Sequence, residues 1–242
     1  TAVEFSINNS DVVTTVSESL KKDTLRLFKI RKDIKVIHNF IDFEKYPEIH
    51  AEECQRNNIA NENERIITHI SNLRPVKRAK DVIKIFYKIQ QKIPSKLLLV
   101  GEGPDREHIE CQAKDLGILD KVLFLGNSNE VNKLLCYSDL FLLPSETESF
   151  GLAALEAMAA RTPVISTNSG GLPEVNVQGV TGFLSDVGNT DEMAKNGIYI
   201  LEDLDRLQQF KQNALAQAKR FSMQNVLPAY EDVYRKVCPN CC

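Results

Sequence analysis

An α/β fold with a Rossmann-like, doubly wound parallel sheet is the class this sequence predicts. Two observations carry that prediction. From Arg65 onward, short β-rich apolar runs alternate with longer amphipathic segments, and strands alternating with helices call for a parallel sheet covered on both faces. The loops after the apolar runs hold the residues with the most distinctive chemistry, and ligands of such sheets bind beyond the carboxyl ends of the strands.

In chain order, the first strand of the sheet is RIITHIS (65–71), followed by SNLRPVKRAKDV, which sets Arg74, Lys77 and Arg78 around a proline-containing turn. A helix is predicted over about 79–92 and a strand at KLLLVG (96–101). GEGPDRE comes next, with two glycines where a strand-to-helix turn needs positive φ; it is not the dinucleotide fingerprint and shapes a pocket rather than binding phosphate. A helix over 105–116 leads to the strand KVLFLG (121–126), and a helix over 129–137 follows Leu125, Gly126 and Asn127. LFLLP (140–144) stops at Pro144, after which Phe150, Leu152, Leu155 and Ala159 recur at helical spacing over 150–160. Arg161 stands at the end of that helix, where a left-handed conformation costs a residue with a side chain roughly 1 kcal/mol. PVIST (163–167), a helix over 171–177, GFLS (182–185) and a helix over 190–202 complete the series.

The flanks read differently. Residues 1–46 hold a strand-like DVVTTVS, a helix at SESLKKDTLRLF, a strand at KVIHN and the segment NFIDFEKYP. Residues 47–64, polar and rich in Asn and Glu, form a helix or loop leading into a main domain over 47–221; a last helix, AYEDVYRKV, and a cysteine-rich tail occupy 222–242. Because the chain starts at Thr1, already inside patterned sequence, it is read as a piece of a longer polypeptide.

Composition narrows the function. A chain that is 43% hydrophobic and 26% charged supports a sizeable core, while a formal charge of −3 and no interleaved basic and aromatic stripe argue against a nucleic-acid partner. No run approaches the length of a membrane span, and TAVEFSINNSD lacks the basic and apolar regions of a signal peptide, so no membrane association and a cytoplasmic location are expected. Cys54, Cys111 and Cys136 are scattered and expected to be reduced. Cys238, Cys241 and Cys242 resemble half of a zinc site with no second cluster, so no metal is expected there and the tail is expected to be disordered. Asp203 and Asp205, and the dispersed His38, His50, His69 and His108, lack convergent partners and are assigned no ligand role.

The densest chemistry lies in LPSETESFGLAALEAMA (143–159), where Glu148 and Glu156 flank the start of a helix. The first free N–H groups, expected near Ser149, Phe150 and Gly151, form a cradle for phosphate. Two helical turns rise about 9–11 Å, so the two carboxylates reach groups one sugar-length apart. That spacing suits a nucleotide-sugar, with hydroxyls at both ends and a diphosphate between.

This segment resembles the Glu-x7-Glu signature of the family-4 retaining glycosyltransferases, which have the two-domain GT-B fold. The resemblance implies that residues 47–221 are the donor-binding second domain, that 1–46 are a remnant of the first domain with its linker, and that the final helix crosses back. It assigns Glu148 to the transferred sugar, beside the anomeric carbon, and Glu156 to the ribose hydroxyls, for which a carboxylate has two acceptor oxygens. Backbone N–H groups from Phe150 to Leu152 would face the distal phosphate. Lys77 matches the family lysine that offsets charge on the departing diphosphate. The arginine usual five residues earlier is Asn72 here, which donates hydrogen bonds without charge, and Arg74 is expected to supply the missing cation. Asn127 sits where the family holds the nucleobase edge, and Gly170 and Gly171 of NSGGLPE support backbone fit.

VEFSINNSDVVTTVSESLKKDTLRLF, IHNFIDFEKY and ISNLRPVKR sharpen the likeness toward family members that move GlcNAc from UDP-GlcNAc to L-malate with retention, without a required metal or cofactor, the UDP-sugar being a substrate. On that reading UDP or UDP-GlcNAc is the partner, the acceptor site belongs to an absent first domain, and the oligomeric state is open, a homo-oligomer included. A family member with another acceptor and a non-catalytic nucleotide-sugar-binding module are the alternatives.

Overall fold

The computed structural model describes residues 1–46, 56 and 59–238. Most of the polar 47–64 segment, with Cys54 and His50, and the tail residues Cys241 and Cys242 lie outside that set. Cys111 is a free thiol, and Cys238 is disulfide-bonded.

The first helix, α1 (Ala2–Asn9), is closed at its start by a capping box between Thr1 and Glu4. DVVTTVS yields β1 (Val13–Thr15), SESLKKDTLRLF yields α2 (Glu18–Leu27), and KVIHN begins with β2 (Ile34–Val36). β1 and β2 pair in parallel as a separate two-stranded sheet.

The main sheet has six parallel strands. They are β3 (Arg65–Ile70), β4 (Ser95–Val100), β5 (Val122–Gly126), β6 (Leu140–Leu143), β7 (Val164–Thr167) and β8 (Gly182–Ser185), in the order β5-β4-β3-β6-β7-β8. Between them run α3 (Ala79–Gln90), α4 (Arg106–Asp115), α5 (Val131–Tyr137), α6 (Leu152–Ala159) and the single turn α7 (Leu172–Val175), and α8 (Thr190–Leu201) follows β8. One face of the sheet buries Ile67, Leu97 and Leu99 against Val82, Phe86 and Ile89 of α3; the other buries Phe141 and Leu143 against Leu155 and Met158 of α6. Full burial of such side chains is worth about 1.5–3 kcal/mol each.

The chain then continues with α9 (Leu204–Lys219) and α10 (Met223–Val237). The Asp203 side chain accepts from Arg206 N–H, so this member of the Asp-x-Asp pair is a helix N-cap. Ile41 and the start of α10 exchange backbone hydrogen bonds, and the Tyr230 hydroxyl donates to the Ile37 carbonyl at 3.2 Å, which fastens α10 to the segment after β2. Arg161 adopts φ 62°, the left-handed helix end foreseen for it. Asp139, at the start of β6, is buried; burial alone would raise its carboxyl, but Lys211 and Arg56 hold it below the usual range and thereby tie α9 and the segment before β3 to the sheet.

Candidate active site

The strand order reverses direction between β3 and β6, and a crevice opens beyond the ends of those two strands. It encloses about 470 Å³, with Ile70, Val100 and Leu143 as its floor. Ser71, Asn72 and Lys77 line the side that follows β3; Glu148, Leu152, Ala153 and Glu156 line the side that follows β6, and Gly101, Asn127, Ser128 and Val131 complete the lining.

Lys77 and Glu148, 71 residues apart, meet in this crevice with Nζ 2.7 Å from Oε1. The Ser145 hydroxyl donates to the same carboxylate oxygen at 2.8 Å. Lys77 ends a short 3₁₀ turn, Pro75–Lys77, and the next residue, Arg78, is left-handed and held by Asp81. The backbone joins the two loops directly, since Glu146 N–H donates to the Val76 carbonyl at 2.8 Å. Glu156 projects from the second turn of α6, and burial pushes its carboxyl up from the ordinary range. Nearby Tyr46 is likewise pushed up, by burial first and then by the Glu156 charge.

Two expectations need correction, the start of α6 and the place of Arg74. Helix α6 starts at Leu152 rather than near Phe150, because Gly151 takes φ 99° and cannot continue a right-handed helix. Leu155 N–H is the first to bond back, to the Gly151 carbonyl, so the orphan donors of the helix are the four N–H groups from Gly151 to Ala154. The Phe150 side chain is 2% exposed and packs against His38 and Phe221, away from the crevice. Ser149 presents its carbonyl to Ser17 Oγ at 2.6 Å. Arg74 is exposed and outside the crevice lining, which leaves Lys77 as the lining cation. Asn72, Asn127, Leu152, Glu148 and Glu156 do converge there, while Gly151 acts as the backbone break that aims α6.

Sequence reasoning missed the support under the ion pair. The β3–β6 ladder has only two registered pairs, against six for β3–β4, and where it stops His69 fills the gap. Its Nδ1 is 2.8 Å from the Leu142 carbonyl and its Nε2 is 2.7 Å from Ser71 Oγ. The carbonyl can only accept, so Nδ1 carries the proton and Nε2 accepts from Ser71. Burial, and secondarily Lys77, hold the imidazole down at about 4. Nothing in the local pattern distinguishes a histidine that replaces a ladder bond from an ordinary core histidine.

A depressed imidazole favours the native state above the unfolded value near 6.5, and that contribution is lost as pH falls from there through about 4. Between pH 7.5 and 5 it amounts to about 2 kcal/mol. Urea unfolding at the two pH values should show this loss, and His69→Gln should lose about 2 kcal/mol less over the same interval. An equal pH response in the variant would mean that His69 is not the titrating group.

Among the described residues no cluster of three or more His, Cys, Asp or Glu side chains is placed to hold a metal ion, and no helix is long and apolar enough to cross a membrane.

The model of the family described as glycosyl transferases group 1 matches residues 51–217. The chain belongs to that family. Among curated relatives, this group 1 glycosyltransferase is 43% identical over 236 residues to the N-acetyl-alpha-D-glucosaminyl L-malate synthase of Bacillus anthracis, covering 97% of this chain and 62% of that one. It is 32% identical over 243 residues, with the same two coverages, to an uncharacterized glycosyltransferase of Methanocaldococcus jannaschii. The chain therefore spans about 62% of the length of these relatives. A crystal structure of Anabaena HepE in complex with UDP and glucose superimposes with a TM-score of 0.86 at 25% identity, covering 96% of this chain and 65% of that one. The sucrose-phosphate synthase of Thermosynechococcus elongatus aligns with a TM-score of 0.88 at 21% identity, over 97% of this chain and 60% of that one. The fold is that of the GT-B glycosyltransferases.

Proposed function

We propose that this chain is the donor-binding part of a retaining glycosyltransferase that moves GlcNAc from UDP-GlcNAc to L-malate. The observation that carries the proposal is the Lys77–Glu148 pair in a crevice whose far wall holds Glu156 and the start of α6. The identity to the Bacillus anthracis enzyme supports the choice of sugar and acceptor, and the UDP and UDP-glucose complexes of HepE support a uridine nucleotide in a crevice of this kind.

On this reading the ribose hydroxyls donate to Glu156, the uracil lies toward Asn127, and the diphosphate lies over the N-terminal amides of α6, beside Lys77 and Asn72. As the bond from the anomeric carbon to the phosphate oxygen breaks, negative charge collects on UDP, where Lys77 and the amides offset it. Glu148 holds a sugar hydroxyl and favours the positive charge developing at the anomeric carbon. The acceptor hydroxyl attacks from the face that UDP leaves, its proton passing to the departing phosphate oxygen, so configuration is retained. The reading requires no metal and no cofactor.

The two-stranded β1–β2 sheet with α2 is taken as part of the acceptor-side domain, and α10, bonded to Ile37, as the helix that returns to it. Calorimetric titration of the chain with UDP tests the donor half, and saturable binding at or below millimolar ligand is expected. Absence of heat at that concentration would remove the assignment. For the whole-length protein, release of UDP from UDP-GlcNAc that depends on L-malate is the expected result; turnover with a different acceptor only would retain the donor half and overturn malate.

A further inference from the structure

The loop that carries Glu148 is gripped from two directions. Residues of the main sheet hold it from below: Thr167 Oγ1 donates to the Ser145 carbonyl at 2.7 Å, Ser169 Oγ to the Glu146 carbonyl at 2.7 Å, and Gly171 N–H to the Glu148 carbonyl at 2.8 Å. A further contact comes from the segment that joins β1 to α2. Ser17, fully buried at the N-cap of α2, accepts from Leu20 N–H at 3.0 Å while donating to the Ser149 carbonyl at 2.6 Å.

Glu174 supplies the second grip. It lies on α7, the turn that directly follows Gly171, yet both its oxygens face the N-terminus of α2: Oε1 accepts from Ser19 N–H at 2.9 Å and Oε2 from Glu18 N–H at 3.0 Å. His38 Nε2 approaches the same Oε2 at 3.3 Å, and its ring stacks on Phe150, the residue after Ser149. A carboxylate on two N-terminal amides of a helix is favoured by charge and by the helix dipole. One helix end therefore holds both the Glu148 loop, through Ser17, and the turn beneath that loop, through Glu174.

We infer that Glu174 and Ser17 are positioning residues: the N-terminus of α2 sets the placement of Glu148, so the acidic group of the crevice is in register only while the β1–β2 unit is seated against the main sheet. This inference rests on the proposed function for its catalytic consequence. Misplacement of a reacting group by about 1 Å costs on the order of a hundredfold in rate, and Glu174 is not among the residues that line the crevice. Its loss should reduce turnover and spare nucleotide binding.

The test uses Glu174→Ala, Glu174→Gln and Ser17→Ala in the whole-length protein. With saturating UDP-GlcNAc, Glu174→Ala should lower kcat about ten- to a hundredfold while the UDP dissociation constant stays within about twofold, and Glu174→Gln, which keeps one acceptor oxygen, should fall between it and the parent. Amide hydrogen exchange should quicken across 145–151 in both alanine variants and stay unchanged in α9. An unchanged kcat, or a loss of UDP affinity in step with kcat, would overturn the inference, because the second pattern marks general loosening. If Glu174→Ala does not fold, Glu174→Gln and Ser17→Ala decide by the same two readouts. A parent protein without transfer activity would refute the proposed function, whereas the exchange measurement would still judge the clamp.

Discussion

Lys77→Ala should lower sugar transfer by about two to three orders of magnitude, equivalent to about 3–4 kcal/mol of transition-state stabilisation. The ammonium is the cation in the crevice lining, since Arg74 is exposed outside it and Asn72 brings no charge. It has a second duty in the resting protein. Glu148 keeps one side-chain oxygen on both Lys77 and Ser145, and the carboxylate is only 14% exposed, so removal of the lysine leaves a poorly solvated charge with a hydroxyl as its remaining partner of the two. Lys77→Ala should therefore also weaken UDP binding, and the double variant Lys77→Ala, Glu148→Gln should recover part of any lost stability without recovering turnover. The measurements are steady-state transfer and urea unfolding on the same preparations. A rate within threefold of the parent would shift the charge-offsetting role to other groups.

Gly170→Ala should be nearly as damaging, although the residue touches no substrate in the proposed mechanism. Gly170 has φ 60°, and a Cβ built there would lie 2.1 Å from the Glu148 carbonyl oxygen and 3.0 Å from its nitrogen. Neither backbone has a flexible end to move aside. The Glu148 loop must shift, the Gly171 to Glu148 hydrogen bond is lost, and a drop in kcat of about a hundredfold is expected, with about 1–3 kcal/mol of stability. Gly179→Ala is the control that separates strain from collision: its φ is 71°, but nothing lies within 4 Å of the added carbon. That variant should lose about 1 kcal/mol from left-handed strain and keep its turnover. If the two variants behave alike, the close approach of the glycine loop to Glu148 has no functional weight.

Much of the architecture was legible because it depends on local pattern. Apolar runs of four to six residues between amphipathic segments located all six strands of the main sheet within about two residues, and Pro144 and Arg161 marked ends that the structure confirms by φ or by termination. Local pattern sets no bounds for the helix after residue 203, since only two residues separate α8 from α9 and the capping role of Asp203 looks the same in sequence as any acidic pair. The expected helix at 171–177 shrank to the single turn α7, which ends where Asn176 turns to extended backbone and its buried side chain donates to the Val164 carbonyl and the Ser166 hydroxyl.

The candidate site divides in the same way. Residues whose chemistry is carried by their own type and spacing, Lys77, Glu148 and Glu156, were nominated from sequence, and the crevice collects all three. Residues whose work depends on what another part of the chain offers were invisible. His69 acts through the Leu142 carbonyl, 73 residues away across the reversal between β3 and β6. Ser17 reaches Ser149 across 132 residues, and Glu174 reaches Glu18 and Ser19 across 156 and 155.

By itself, then, the sequence determined the parallel α/β sheet, the loops that end on one rim and the acid, base and amide types available there, because periodicity and residue chemistry are properties of short segments. The tertiary structure alone decided which of those groups share a cleft. Strand order set Lys77 opposite Glu148, the left-handed Gly151 started α6 at Leu152, and burial withdrew the Phe150 side chain into the core. These outcomes depend on long-range packing, in which the direction of a side chain is settled by neighbours that no local window contains.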